Sequence, residues 1–188
     1  MRFFTKRSGE ILEKQDTKKE IISWIKSLLF AFLIAFICRH FLFSPVTVFG
    51  ESMRPTFEDR NKVIVSKISH IDHFDNIVFN APDANEKYIK RVIGLPGDTI
   101  EVKDDVLYIN ETAVSEPYLE KAKQTMLPNQ KLTEDFTLQE YTGKTKVPKG
   151  YLFVMGDNRS VSKDSRRFGF ISYESVIGEV KFRYFPLK

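Results

Sequence analysis

Tyr88-Ile89-Lys90-Arg91-Val92-Ile93-Gly94-Leu95-Pro96-Gly97-Asp98 joins a strand-like segment to a turn. Tyr88, Ile89, Val92 and Ile93 are aromatic or β-branched and favour a pleated, half-buried setting. Leu95 to Asp98 places Pro at the first central position and Gly at the second, which predicts a type II turn. Downstream, Thr99 to Val102, Val106 to Ile109 and Thr112 to Val114 read as a meander. Turns at Lys103-Asp104-Asp105 and Asn110-Glu111 separate them. Upstream, Lys62 to Ile68 and Ile77-Val78-Phe79 read as strands, the second stopped by Asn80-Ala81-Pro82. Val46, Val48 and Gly50 alternate with Thr47, Phe49 and Glu51, another strand pattern, broken by Pro55. Pro148-Lys149-Gly150 reads as a turn, Tyr151 to Met155 as a strand, and Val176 to Phe185 as the last strand with a bulge at Gly178. Many short strands with few helical patterns predict a mainly β body of short, largely antiparallel strands. Residues 115 to 146 are polar without clear periodicity and are expected to be an insertion or mobile surface segment. Gly156 to Arg167 is expected to be a polar loop.

Ahead of this body, Ile21 to Phe43 is mostly apolar, with an uninterrupted core from Leu28 to Cys38. That core is shorter than the roughly 20 residues a span needs. Lys26 and Arg39 near its ends can extend their charged heads toward the interfaces, so the flanks join the span. Trp24 suits one interface. The resulting division is a loose cytoplasmic tail over 1 to 19, a single transmembrane helix over 20 to 43, and an extracytoplasmic body over 44 to 188. The rival reading is a cleaved targeting segment, for which Val48-Phe49-Gly50 is a passable site. The long basic region and Arg39-His40 between core and site favour an anchor.

The chain has 188 residues, so the body retains about 140, enough for a real core. The formal charge is +4, but Arg2, Lys6, Arg7, Lys14, Lys18, Lys19 and Lys26 precede or enter the apolar run. The excess is therefore the positive flank of a span, which places the N-terminus inside, and not a nucleic-acid surface. Cys38 is the single cysteine, which excludes an intramolecular disulfide.

Three stretches carry candidate chemistry. Gly50-Glu51-Ser52-Met53-Arg54-Pro55-Thr56 lies just past the span. Read alone, Ser52 is a linker residue or a nucleophile. A nucleophilic serine needs a base. His40 lies in the span. His70 and His73, with Asp72 and Asp75, lack further ligands for a metal site and read as a polar loop. A lysine serves as base if burial holds it neutral. Lys90 shares a strand face with Tyr88 and Val92, while Arg91 points the other way. An ordinary exposed lysine is the plainer alternative. In Gly156-Asp157-Asn158-Arg159 through Asp164-Ser165-Arg166, Asp164 and Arg166 can pair, and Ser160, Ser162 and Ser165 offer hydroxyls. The same composition also suits a polar surface turn.

Taken in order behind an N-in span, these stretches resemble the type I signal peptidases, membrane-anchored serine proteases that remove signal peptides from exported proteins. The single span and short chain look like the Gram-positive bacterial branch. The resemblance covers the chain from the span to about residue 180. It implies Ser52 as nucleophile, Lys90 as general base and Ser162 as holder of the Lys90 amine. Asp157, Asp164 and Arg166 become supports. Val48, Gly50, Met53, Phe57, Tyr88 and Ile89 are placed at the substrate pockets. The implied partners are signal-peptide-bearing preproteins and plasma-membrane lipid, with no nucleic acid, metal or cofactor. Lipid contact is expected at Phe49, Phe57 and Phe182 to Phe185.

Three positions depart from the family pattern. Gly50 stands where some members have an oxyanion-donating serine. Arg60-Asn61 replaces a Gly-Asp, and Asp75-Asn76 opens a run that usually starts Gly-Asp. Two rivals remain. A self-cleaving regulator would need a DNA-binding domain where this chain has a tail and span. An inert homologue acting as a membrane-tethered binding module would be expected to lack Ser52, Lys90, Asp164 or Arg166, and all four are present.

Overall fold

The computed structural model describes residues 4–127 and 130–186. The chain divides into two units, 1–42 and 43–188. The first is helix α1, Phe4–Ile37, continued by one π turn over Cys38–Leu42. Within it, Lys18–Leu42 contains an 18-residue window of mean hydropathy 2.3 and is long and apolar enough to cross a membrane. At about 1.5 Å per residue it reaches about 37 Å, beyond a hydrocarbon core of about 30 Å. The tail expected to be loose is helical from Phe4 onward, while residues 1–3 lie outside the described residues. It contains no proline, and extending an existing helix avoids the cost of nucleation.

The second unit is built of antiparallel strands. A seven-stranded sheet has the order β1-β2-β11-β3-β4-β9-β10. These strands are β1 Phe43–Thr47, β2 Lys62–Ser66, β3 Asn76–Asn80, β4 Lys87–Gly94, β9 Tyr151–Met155, β10 Ile171–Ser172 and β11 Val176–Phe185. A four-stranded sheet runs β7-β6-β5-β8, with β5 Ile100–Lys103, β6 Val106–Ile109, β7 Thr112–Val114 and β8 Phe136–Thr137. The mainly β body read from the sequence is the body observed.

Local chemistry sets the turns. Gly97 has φ +98° and the Asp98 N–H donates to the Leu95 carbonyl at 3.1 Å, the expected type II turn. Asp104-Asp105 and Asn110-Glu111 all have positive φ, as two-residue hairpin turns require. At Gly178 the β11 register shifts, and a Cβ there would come within 2.1 Å of the Ser66 carbonyl oxygen. Only glycine fits that bulge.

The core falls into three apolar clusters. One, with Val48, Met53, Phe57, Val63, Val78 and Ile89, lies under the Ser52 segment. A second joins Ile93 and Phe153 of the large sheet to Ile100, Val102, Leu107 and Phe136 of the small one. The third packs Ile77, Phe79, Val92, Val154 and Ile171. Strand β4 takes part in all three and is buried from Ile89 to Gly94.

Four expectations are corrected. The alternating stretch from Val46 to Glu51 is strand only to Thr47, and β1 instead begins at Phe43 and includes Pro45. An edge strand tolerates proline because its missing N–H costs no ladder bond. Phe57 is 7% exposed and belongs to the core, not to a lipid-facing surface. Among its described residues, the segment 115–146 forms a 3-10 turn, two short helices (α2 Glu120–Gln124, α3 Leu138–Thr142) and β8. Leu119, Phe136 and Leu138 anchor it by burial. The expected loop 156–167 closes with helix α4, Ser165–Phe168, capped by the Asp164 side chain accepting the Arg166 N–H.

Candidate active site

Ser52 sits in the turn between β1 and β2. Reciprocal backbone bonds close the base of that connection, Val48 N–H to Asn61 and Arg60 N–H to Val48, each 2.8 Å. Met53, 1% exposed, pins the turn from beneath. From above, Asn158 holds it twice. Its N–H donates to the Ser52 carbonyl at 3.0 Å and its side-chain amide to the Glu51 carbonyl at 3.1 Å. The serine is therefore fixed by the apolar core on one side and by the 156–164 loop on the other.

Lys90 lies mid-strand in β4, opposite Ile77. Its Nζ is 2.7 Å from Ser52 Oγ and donates to the Ile89 carbonyl at 3.1 Å. The amine stands 5.2 Å from the centre of the Tyr88 ring. Lys90 is 3% exposed, and burial pushes its pKa down to about 8. Asp164, Asp157 and Asp83 pull the other way without overcoming burial.

The strand period turns Arg91 to the opposite face. There it clasps Asp157 with two bonds, Nε to Oδ1 at 2.9 Å and Nη2 to Oδ2 at 2.6 Å. The Thr56 hydroxyl donates to the same carboxylate. Asp157, fully buried, thus joins the serine turn, the lysine strand and the 156–164 loop. Asp164 plays the matching role inside that loop. It accepts from the Gly156 N–H at 2.9 Å and from Arg166 at 2.9 and 2.8 Å.

The structure brings Ser52, Lys90, Asp157, Asp164 and Arg166 into one connected network. Ser162 lies in it, but its buried hydroxyl makes no hydrogen bond to any described residue, Lys90 included. A groove of about 270 Å³ runs from Ser52 and Lys90 along Val46, Val48, Val78 and Ile89. Val48, Tyr88 and Ile89 line it. Met53 and Phe57 lie in the core beneath. Gly50 belongs to the turn, with φ +82° and its N–H on Asp59. The loop histidines are held by neighbours, His73 to Asp98 at 2.7 Å and His70 to Asp72 at 3.6 Å.

Sequence reasoning missed Arg159 and Asn158. Arg159 is 2% exposed and bonds the Gly156 carbonyl, Thr133, Tyr118 and Glu116. An arginine inside a Gly-Asp-Asn-Arg run was the available signal. Its side-chain partners, Thr133, Tyr118 and Glu116, sit in the segment read as an insertion.

Gly156 is the tightest glycine of the site. A Cβ there would lie 2.2 Å from Ser162 Oγ and 2.4 Å from the Ser52 carbonyl oxygen. Gly156→Ala is expected to push the Ser52 backbone aside and to lower kcat/KM by about 10²-fold, the cost of a misplacement near 1 Å. Steady-state kinetics on the folded variant check this, and near-normal turnover would show that the site absorbs the methyl group.

A serine hydroxyl within hydrogen-bond reach of a buried lysine of lowered pKa is the equipment of a serine peptidase that uses an amine as base. Comparison with known proteins narrows the class. The profile of the family described as signal peptidase, peptidase S26, matches residues 21–185, and the chain belongs to that family. It is 53% identical over 154 residues to signal peptidase I of Bacillus caldolyticus, covering 80% of this chain and 84% of the relative. It is 43% identical over 183 residues to signal peptidase I of Bacillus amyloliquefaciens, covering 93% of each. The crystal structure of a signal peptidase I from Enterococcus faecalis is similar with a TM-score of 0.59 at 46% identity. That similarity covers 61% of this chain and 99% of that one. The chain is thus an enzyme, a hydrolase of the serine endopeptidase class, as the three sequence stretches implied.

Proposed function

We propose that the enzyme removes N-terminal signal peptides from exported preproteins, with Ser52 as nucleophile and Lys90 as general base. Lys18–Leu42 anchors it in a bacterial plasma membrane as a single pass, over a cytoplasmic N-terminus. The basic residues ahead of the span support that orientation. The observation that carries the chemistry is the 2.7 Å separation of Lys90 Nζ from Ser52 Oγ in a site that depresses the lysine.

Ser52 Oγ attacks the carbonyl carbon of the scissile bond as neutral Lys90 takes its proton. The Ser52 backbone N–H is the first donor to the developing oxyanion, since Gly50 has no hydroxyl to offer. Collapse breaks the C–N bond, and the lysine ammonium gives its proton to the leaving amine. Lys90, neutral again, then takes a proton from the water that attacks the acyl-enzyme; the ester C–O bond breaks and the ammonium returns that proton to Ser52 Oγ. Asp157, Asp164 and Arg166 support the segments that carry the pair.

Val48, Tyr88 and Ile89 leave room in the groove for small side chains at the first and third positions before the cut. The detergent-solubilised full chain is expected to cut a precursor with Ala at both positions, and Ser52→Ala is expected to leave it intact. N-terminal sequencing of the product fixes the cut. Equal cleavage of precursors carrying Phe or Leu at those positions would refute the pocket assignment. Cleavage by Ser52→Ala would refute the nucleophile.

A further inference from the structure

Three carboxylates bear on Lys90: Asp164, Asp157 and Asp83. Each has its own cation. Arg166 holds Asp164 and Arg91 holds Asp157, in pairs that are almost wholly buried. The third pair is different. Lys163 holds Asp83, and the two side chains remain 53% and 24% exposed. They come from separate segments, Lys163 from the 156–164 loop and Asp83 from the turn joining β3 to β4. Lys163 and Val161 line the same groove as Ser52 and Lys90. The other charges on that groove are Lys87 and Glu51, the latter paired with Arg54 at 3.1 Å.

A carboxylate near the amine favours its charged form and so takes away the base. The two buried acids cannot do this freely, because each is held in two bonds by an arginine. Asp83 is held by Lys163, whose own pKa is raised by that hydrogen bond, so it stays charged. Resting on the reading of Lys90 as base, we infer that Lys163 is a positioning residue. Its ion pair ties the Val161–Lys163 wall of the groove to the β3–β4 turn and masks Asp83 from Lys90. The pair sets the pH range in which the enzyme works.

The signs are specific. Lys163→Met unmasks Asp83 and stabilises the Lys90 ammonium, so the kcat/KM profile moves to higher pH. Asp83→Asn removes the acid, so the profile moves to lower pH. A partly exposed pair is screened by solvent, which limits each shift to about half a pH unit, or about threefold in kcat/KM below the apparent pKa. Both shifts shrink at 1 M salt, where the Debye length is about 3 Å. The double variant falls between the singles.

The experiment is a pH series from 6 to 10 on the full chain in detergent, for wild type, the two singles, the double and Lys90→Arg. Opposite shifts from the singles are the expected result. Equal losses of activity at every pH with no shift would mean a purely structural clasp and would overturn the inference while Lys90→Arg stays inactive. An active, folded Lys90→Arg protein would overturn the reading of Lys90 as base, and this inference with it.

Discussion

Folded Lys90→Arg protein is expected to cleave a precursor at pH 8 about 10⁴-fold more slowly than wild type. Lys90 has a pKa of about 8, so half of it is neutral there. A guanidinium stays protonated far above that pH and is neutral there to only a few parts in 10⁵. The positive charge is kept, so the loss isolates the proton acceptor. In wild type, kcat/KM is expected to rise with pH through about 8 as the ammonium deprotonates, and to level off above it. Arg91→Lys is the neighbouring control. It faces Asp157, not Ser52, and is expected to keep the same pH profile at reduced stability. Circular dichroism verifies folding of each variant. Turnover by folded Lys90→Arg within tenfold of wild type would end the assignment of Lys90 as base.

Arg159→Met is expected to destabilise the body by about 3–5 kcal/mol, the usual cost of orphaning one member of a buried ion pair. Arg159 has no exposed side-chain surface, and Glu116 keeps only 6% of its own. Removing the guanidinium leaves a buried carboxylate, and it also strips a donor from Thr133 and from the Gly156 carbonyl. A body of this size should lose about 10 °C in Tm. Arg159→Met with Glu116→Leu should recover most of that, because an apolar pair of similar volume costs little. Thermal melts of the full chain in detergent close the cycle. A single variant that melts within 2 °C of wild type, or a double no better than the single, would contradict the burial described here.

The two variants also mark what was legible in the sequence. Lys90 could be read because its demands are local. A strand period separates it from Arg91, and the turn chemistry of Leu95 to Asp98 fixes where the strand stops. The meander was legible for the same reason, since paired positive-φ turns announce themselves in Asp-Asp and Asn-Glu. Arg159 could not be read, because its side-chain partners lie 26 to 43 residues away in a stretch whose buried residues, Leu119, Phe136 and Leu138, occur singly among polar ones. No periodicity survives such spacing. Phe57 and Met53 were misplaced from the groove because a side chain next to a reactive serine can face either way, and here the core took both. The helical tail was missed because its order comes from the helix it extends, not from an apolar face of its own.

The carboxylate of Asp157 meets Thr56 from the serine turn and Arg91 from the lysine strand. This has a consequence for how the enzyme is made. A ribosome emits Ser52 and Lys90 long before it emits Gly156 to Arg166. Through that interval the growing chain lacks the carboxylate that joins the serine turn to the lysine strand. The clasp between the two segments therefore closes only when the last third of the body docks.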